Sequence, residues 1–306
     1  MNILFHKPGI NGADWIDALC RELPRANISV WPQTGSSIDY ALVWKPPSAL
    51  IAQLSGVRAV FNLGAGVDAI PLGPSWPSGV ALVRIEDAGM AEQMAEYATF
   101  AVLRCYREFD AYEAAQSKEQ WDPRQRLDKG TFGVGILGMG VLGTCVAQAL
   151  LGFGFPVSCW SRARKELPGV TSFVSNQLDA FLASCRVVIC LLPLTQVTRG
   201  LLDRQTLAKL PQGAYVVNVA RGALIVEDDL IAMIDNGHLA GAMLDVFEHE
   251  PLRPGHPFWH HPGITLTPHT SAVTSIEQSV AQIAAKIGRL EAGLPISGVV
   301  NAAHAY

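Results

Sequence analysis

The 306-residue sequence has no CxxC pair, no apolar run long enough to span a bilayer, no surplus of positive charge, no internal repeat and no low-complexity tract. Each absence removes a class of function. The six cysteines, Cys20, Cys105, Cys145, Cys159, Cys185 and Cys190, lie mostly in apolar runs. That placement suits buried, reduced thiols and argues against a disulfide framework or a zinc site. A formal net charge of −4 and a pI near 6.1 provide no surface for neutralising a phosphate backbone or anionic lipid, so neither nucleic acid nor membrane is an expected partner. The opening stretch MNILFHKPGI carries neither a basic lead nor a long apolar core, and a cytoplasmic protein is expected. In HPFWHHP, His256, His260 and His261 stand between prolines with no carboxylate or cysteine pattern to complete a ligand set, so no metal is expected. Asp203, Asp228 and Asp229 begin or flank helical segments, where capping and first-turn charge account for them.

What is present is a chain 49% hydrophobic and long enough for two domains, each with its own core. Short apolar runs alternate with amphipathic segments of helical length, the pattern of α/β architecture with mainly parallel strands. MNILFH, YALVW, AVFNL and ALVRI are strands of a first series; FGVGIL, PVSCW, RVVICLL, AYVVNVA and LAGAMLDV belong to a second. A long helical stretch beginning near Met90, MAEQMAEYATFAVLRCYREFDAYEAAQ, separates the two series. A last helix, from about Ala272 to Gly293, has no strand after it and is expected to return to the first domain. The domains read as 1–97 plus 273–306, discontinuous, and 98–272.

Within the second series, VGILGMGVLG sets an apolar strand before Gly138, Gly140 and Gly143, and the chain continues at helical period. Gly138 permits a tight strand-to-helix turn, Gly140 a close approach of backbone to a pyrophosphate, and Gly143 the packing of helix on sheet. The helix end presents unpaired N–H groups and partial positive charge to the anion. With Met139, Val141 and Leu142 between them, these residues form a predicted dinucleotide cradle. The following strand ends in CWSRARK, where an acidic residue would ordinarily hold the adenosine ribose. Ser161, Arg162, Arg164 and Lys165 occupy that place. A carboxylate there would repel a 2′-phosphate, whereas a guanidinium clasps it, so NADPH is the preferred coenzyme and NADH a possible one.

Three further strands end in polar residues, at the edge where open α/β sheets bind ligands. YVVNVARG delivers Arg221, AMLDVFEHEPL carries Asp245 and Glu250, and ITLTPHT ends in His269. Behind a nucleotide cradle these read as an anion clamp, an acid and its electrostatic partner. GAGVD at 64–68, GILGMGVLG, LLPLT, NVARGALIVEDDL, AMLDVFEHEPL and TPHT together resemble the D-isomer-specific 2-hydroxyacid dehydrogenase family. YALVWKPP, EQMAEYA and CWSRARK are similar to its branch that reduces glyoxylate and hydroxypyruvate.

The resemblance implies two Rossmann-like or flavodoxin-like parallel-sheet domains with an active cleft between them, joined as a homodimer through the nucleotide-binding domain and its helical arm. It makes His269 the proton donor in reduction of a small 2-oxo acid, Glu250 the carboxylate that holds its imidazole, and Arg221 the residue that holds the substrate carboxylate and polarises its carbonyl. It sets Asp245 at the nicotinamide end of the coenzyme, with Leu192, Pro193 and Ala220 also against the coenzyme. Backbone N–H groups of Gly64, Ala65 and Gly66 would grip the carboxylate, and Trp44 would cap the pocket. A rival keeps the fold and changes the substrate to D-lactate or another short acid. A nucleotide-sensing module, like the corepressors on this scaffold, would retain the same three polar residues.

Overall fold

The strands of a parallel sheet are buried on both faces and therefore read as continuous apolar runs, and the central strands here do so. A computed structural model describes residues 1–9, 12–33 and 37–300. Its elements begin with β1 (Asn2–His6), α1 (Gly12–Glu22), β2 (Asn27–Val30), β3 (Tyr40–Val43), α2 (Ser48–Ile51), β4 (Ala59–Asn62) and β5 (Ala81–Val83). There follow α3 (Met90–Tyr106), α4 (Phe109–Gln116), β6 (Val134–Leu137), α5 (Val141–Gly152), β7 (Val157–Ser161), β8 (Val170–Val174), α6 (Leu178–Ala183) and β9 (Val187–Cys190). The chain continues through α7 (Arg204–Leu207), β10 (Ala214–Asn218), α8 (Glu227–Asp235), β11 (Leu239–Leu244), β12 (Ile264–Leu266) and α9 (Ile276–Glu291).

The chain divides into two units, Met1–Gly89 with the residues from Thr274 onward, and Met90–Val273. In the first, a five-stranded sheet runs in the order β2-β1-β3-β4-β5; in the second, a seven-stranded sheet runs β12-β11-β10-β9-β6-β7-β8. The strand pairings in both are parallel. Both orders are doubly wound: the winding reverses between β1 and β3 in the first sheet and between β6 and β9 in the second, and ligands bind beyond the strand ends at such points. Every residue of β3, β4, β6, β9 and β10 is buried.

Ser275 caps α9 by accepting from the Gln278 N–H. Val280, Ile283 and Ile287 then enter the core that holds Trp15, Leu19 and Phe61, which returns the end of the chain to the first unit. The long helical stretch is two helices. Glu108 adopts a left-handed backbone (φ 54), and Arg104 reaches across the break to Asp110 and Glu113. Position 97/98 falls inside α3, whose Met94, Ala98, Ala101 and Val102 share a core with Val146, Ala147 and Leu150 of α5; residues 90–97 accordingly lie in the second unit. Cys159, Cys185 and Cys190 are buried and Cys105 and Cys145 half-buried, whereas Cys20 is exposed, because Trp15, Ala18 and Leu19 form the inward face of α1. Among the described residues no helix is long and apolar enough to cross a membrane.

Candidate active site

The glycine turn after β6 fits a nucleotide, and its three glycines are needed for different reasons. Gly138 has φ +102, and a Cβ there would stand 2.8 Å from the Leu191 carbonyl oxygen. A Cβ on Gly143 would lie 2.1 Å from the Gly138 oxygen, so α5 could not sit so close to its own turn. Gly140, the N-cap of α5, is the reverse case: a Cβ would meet nothing within 4 Å, which leaves open space over the helix end where an anion would lie. Val141 is 61% exposed beside it, while Met139 is buried. Leu142 packs at the edge of the core. Leu192 and Ala220 are buried, and Pro193 accepts a 2.7 Å hydrogen bond from Thr198 Oγ1 through its carbonyl. At the end of β7, Ser161 is buried and its hydroxyl donates to the Ala163 carbonyl at 2.7 Å. It closes the turn that leaves Arg162, Arg164 and Lys165 exposed.

His269 and Glu250 come together: Nδ1 of the imidazole lies 2.7 Å from Glu250 Oε2. The other carboxylate oxygen accepts from the Phe247 N–H at 3.1 Å, which fixes the carboxylate plane. A carboxylate accepts only, so the proton of that pair sits on Nδ1, and Nε2 is the nitrogen left to act. The backbone at His269 is left-handed, φ 56. That uncommon conformation is held by its N–H donating to the carbonyls of Asp245 (2.8 Å) and Thr267 (3.1 Å).

Arg221 is half-buried, and its Nη1 donates to the Ala220 carbonyl at 2.6 Å. The next residue explains the Arg-Gly pair. A Cβ on Gly222 would be 1.8 Å from the Phe247 carbonyl carbon, so only glycine lets the Arg221 turn press against the backbone just ahead of Glu250.

Asp245 lies against the loop of residues 267–271. It is fully buried. Oδ1 accepts from Thr267 Oγ1 (2.6 Å) and the Thr270 N–H (2.8 Å), and Oδ2 accepts from the Ser271 N–H (2.8 Å). The carboxylate therefore fastens the loop that carries His269. Tyr97 extends this network, its hydroxyl 2.6 Å from Thr267 Oγ1.

In the first unit, Trp44 lies over Gly64 so closely that a Cβ there would be 2.6 Å from its ring. Gly64 is buried, and Ala65 and Gly66 are half-buried. Two of the three histidines of HPFWHHP have structural partners. His256 contacts Glu227 at 3.3 Å and His261 contacts Asp235 at 3.2 Å, and the described residues contain no group of three or more potential metal ligands. Asp203 caps α7 through the Thr206 N–H at 2.9 Å. Sequence reasoning missed Tyr97, Thr267, Asn62 and Asn218. The last two had a signal: each closes an otherwise apolar buried strand, AVFN and AYVVN, where asparagine is disfavoured.

A glycine turn on a helix end at a sheet's winding reversal, in the same unit as a carboxylate-held imidazole, defines a dinucleotide-dependent dehydrogenase. Comparison with known proteins makes the class specific. Residues 99–271 match the model of the D-isomer specific 2-hydroxyacid dehydrogenase NAD binding domain. Over 313 aligned positions the chain is 47% identical to a glyoxylate/hydroxypyruvate reductase A from Serratia proteamaculans, covering 100% of both. A D-isomer specific 2-hydroxyacid dehydrogenase from Xanthobacter autotrophicus, solved with NADPH and MES, superposes with a TM-score of 0.95 at 38% identity over 100% of this chain and 99% of that one. An NADPH-dependent glyoxylate/hydroxypyruvate reductase from Sinorhizobium meliloti, solved with NADP and sulfate, gives 0.93 at 34% over the same shares. The chain belongs to the D-isomer specific 2-hydroxyacid dehydrogenase family and is an NAD(P)-dependent enzyme.

Proposed function

We infer that this enzyme reduces short 2-oxo acids, glyoxylate to glycolate and hydroxypyruvate to D-glycerate, using NADPH in preference to NADH. The observation that carries the reading is the 2.7 Å contact of His269 Nδ1 with Glu250, which leaves Nε2 to deliver a proton. The coenzyme, when bound, supplies a hydride equivalent to the carbonyl carbon. Nε2 of His269 donates its proton to the carbonyl oxygen, and Glu250 holds the ring through Nδ1 so that the donating edge is fixed. Arg221 takes the substrate carboxylate and stabilises negative charge developing on oxygen. In the first unit the N–H groups of Gly64, Ala65 and Gly66 are donors suited to a substrate carboxylate, and Trp44 stands over them. The exposed Arg162 at the end of β7 receives the 2′-phosphate, in keeping with the NADPH and NADP held by two similar structures. The names of the relatives from Serratia and Sinorhizobium support the substrate class.

The test is loss of reduced-nicotinamide absorbance with glyoxylate or hydroxypyruvate. Wild-type enzyme turns over at enzymatic rates, and His269→Ala and Arg221→Ala each lower kcat/KM about a hundredfold or more. Near-native rates in both variants would remove the mechanism.

A further inference from the structure

We propose that Asn62 is a positioning residue for the substrate carboxylate, acting through the turn Gly64–Gly66; the inference rests on the reading of that turn as a carboxylate grip. Asn62 is the last residue of β4 and is 1% exposed. Its amide nitrogen has two hydrogens, and both are used within the turn: Nδ2 donates to the Gly64 carbonyl at 2.9 Å and to the Gly66 carbonyl at 2.8 Å. Drawing those carbonyls towards one buried amide turns the peptide dipoles of the segment. Among the described residues the N–H groups of Gly64, Ala65 and Gly66 donate to no acceptor. Successive unengaged N–H groups in a turn are an anion-binding arrangement.

The turn needs this restraint because glycine flanks it on both sides. Glycine peptides rotate at little steric cost, and a rotated peptide would present a carbonyl oxygen to the carboxylate it should hold. The Trp44 ring bars a side chain at Gly64 but offers no hydrogen bond to fix the peptide. Asn218 serves the second unit in the same way. Its Nδ2 donates to the Arg221 carbonyl at 2.9 Å, and its Oδ1 accepts from the Ala220 N–H at 3.2 Å. In both units an asparagine closes a buried strand and shapes the turn that follows it.

Steady-state kinetics of the full chain with NADPH and glyoxylate test the proposal. Asn62→Asp keeps the shape and removes both donors. Its KM for glyoxylate rises about tenfold, as expected for two lost hydrogen bonds, while kcat stays within about threefold and the Kd for NADPH is unchanged. The dissociation constant of oxalate, read by its effect on coenzyme fluorescence, rises by the same factor. An unchanged KM and oxalate constant would overturn the proposal, as would a fall in kcat with KM unchanged. If Asn62→Asp fails to fold, Asn62→Ser retains one donor and shows a smaller rise in KM; no rise there also overturns the role. The oxalate measurement needs no turnover. A wild-type chain inert towards short 2-oxo acids would therefore sink the proposed activity while leaving Asn62 separately testable.

Discussion

Two glycine turns in this molecule end buried strands, and they prepare N–H donors by different means. The turn after β6 runs straight into the twelve-residue helix α5. Helical geometry itself leaves the first N–H groups unpaired and points them at the ligand. The turn after β4 has no such helix: the next element is β5. Orientation that α5 provides through its backbone falls, in the first unit, to the buried Asn62 amide, with the Ile85 N–H adding one longer bond of 3.3 Å to the Gly64 carbonyl. The nucleotide grip is therefore distributed over a helix end and insensitive to any single side chain near the pyrophosphate. The carboxylate grip is concentrated in an amide that one substitution can remove.

That contrast can be sharpened first at Arg162, where the nucleotide unit does depend on a side chain. Arg162→Ala should lower the ratio of kcat/KM for NADPH over NADH on the order of ten- to a hundredfold, the loss of a charge-assisted bond. KM for the 2-oxo acid should not move. A shift in that KM, or an unchanged coenzyme ratio, would break the separation between the two grips. A smaller effect is expected at the glycines. A Cβ on Gly140 meets nothing within 4 Å and the backbone there has φ −87, so Gly140→Ala should fold with an unchanged Tm yet raise the Kd of NADPH about tenfold by occupying ligand space. Gly143→Ala, whose Cβ would lie 2.1 Å from the Gly138 oxygen, should lose Tm as well as affinity. Equal losses of Tm in the two variants would show that the Gly140 cradle is packing alone.

Much of this was legible from residues 134–143 and from the polar ends of β10, β11 and β12, because apolar strands and special turns have local causes. Two of the four edge strands, β2 and β8, were not. β2 and β8 carry half-exposed patterns, so neither shows the continuous apolar run that marks β9 or β10. The break at Glu108 was equally hidden, since nothing in REFDAY departs from helical period. Asp245 shows a different limit. Its acidic type and position at a strand end suggested a ligand contact, while the three hydrogen-bond donors from residues 267–271 that engage it are set by tertiary structure and leave no mark in the sequence. Tyr97 and Thr267 escaped for the same reason, being 170 positions apart in the chain.

The smallest effect expected is at Tyr97, and its sign follows from counting protons. Thr267 has one hydroxyl hydrogen and donates it to Asp245 Oδ1 at 2.6 Å. In the 2.6 Å contact between Tyr97 and Thr267 the phenol must therefore be the donor. Burial pushes the Tyr97 phenol up to about 12, so it keeps that proton throughout the neutral range. Tyr97→Phe removes one donor from a network that still has the Thr270 and Ser271 N–H groups on Asp245, a loss of about 1 kcal/mol and a fall in Tm of about 2–4 °C for a unit of this size. Because the network fastens the His269 loop, kcat should drop a few-fold, with KM for the 2-oxo acid unchanged, the mirror image of Asn62→Asp. A phenol whose folded pKa is raised contributes fully below its unfolded value near 10 and loses that contribution as pH rises through about 12. The stability advantage of wild type over Tyr97→Phe should accordingly be constant from pH 7 to 9 and shrink above pH 10. An advantage that grows with alkaline pH, or a change in KM alone, would assign Tyr97 elsewhere.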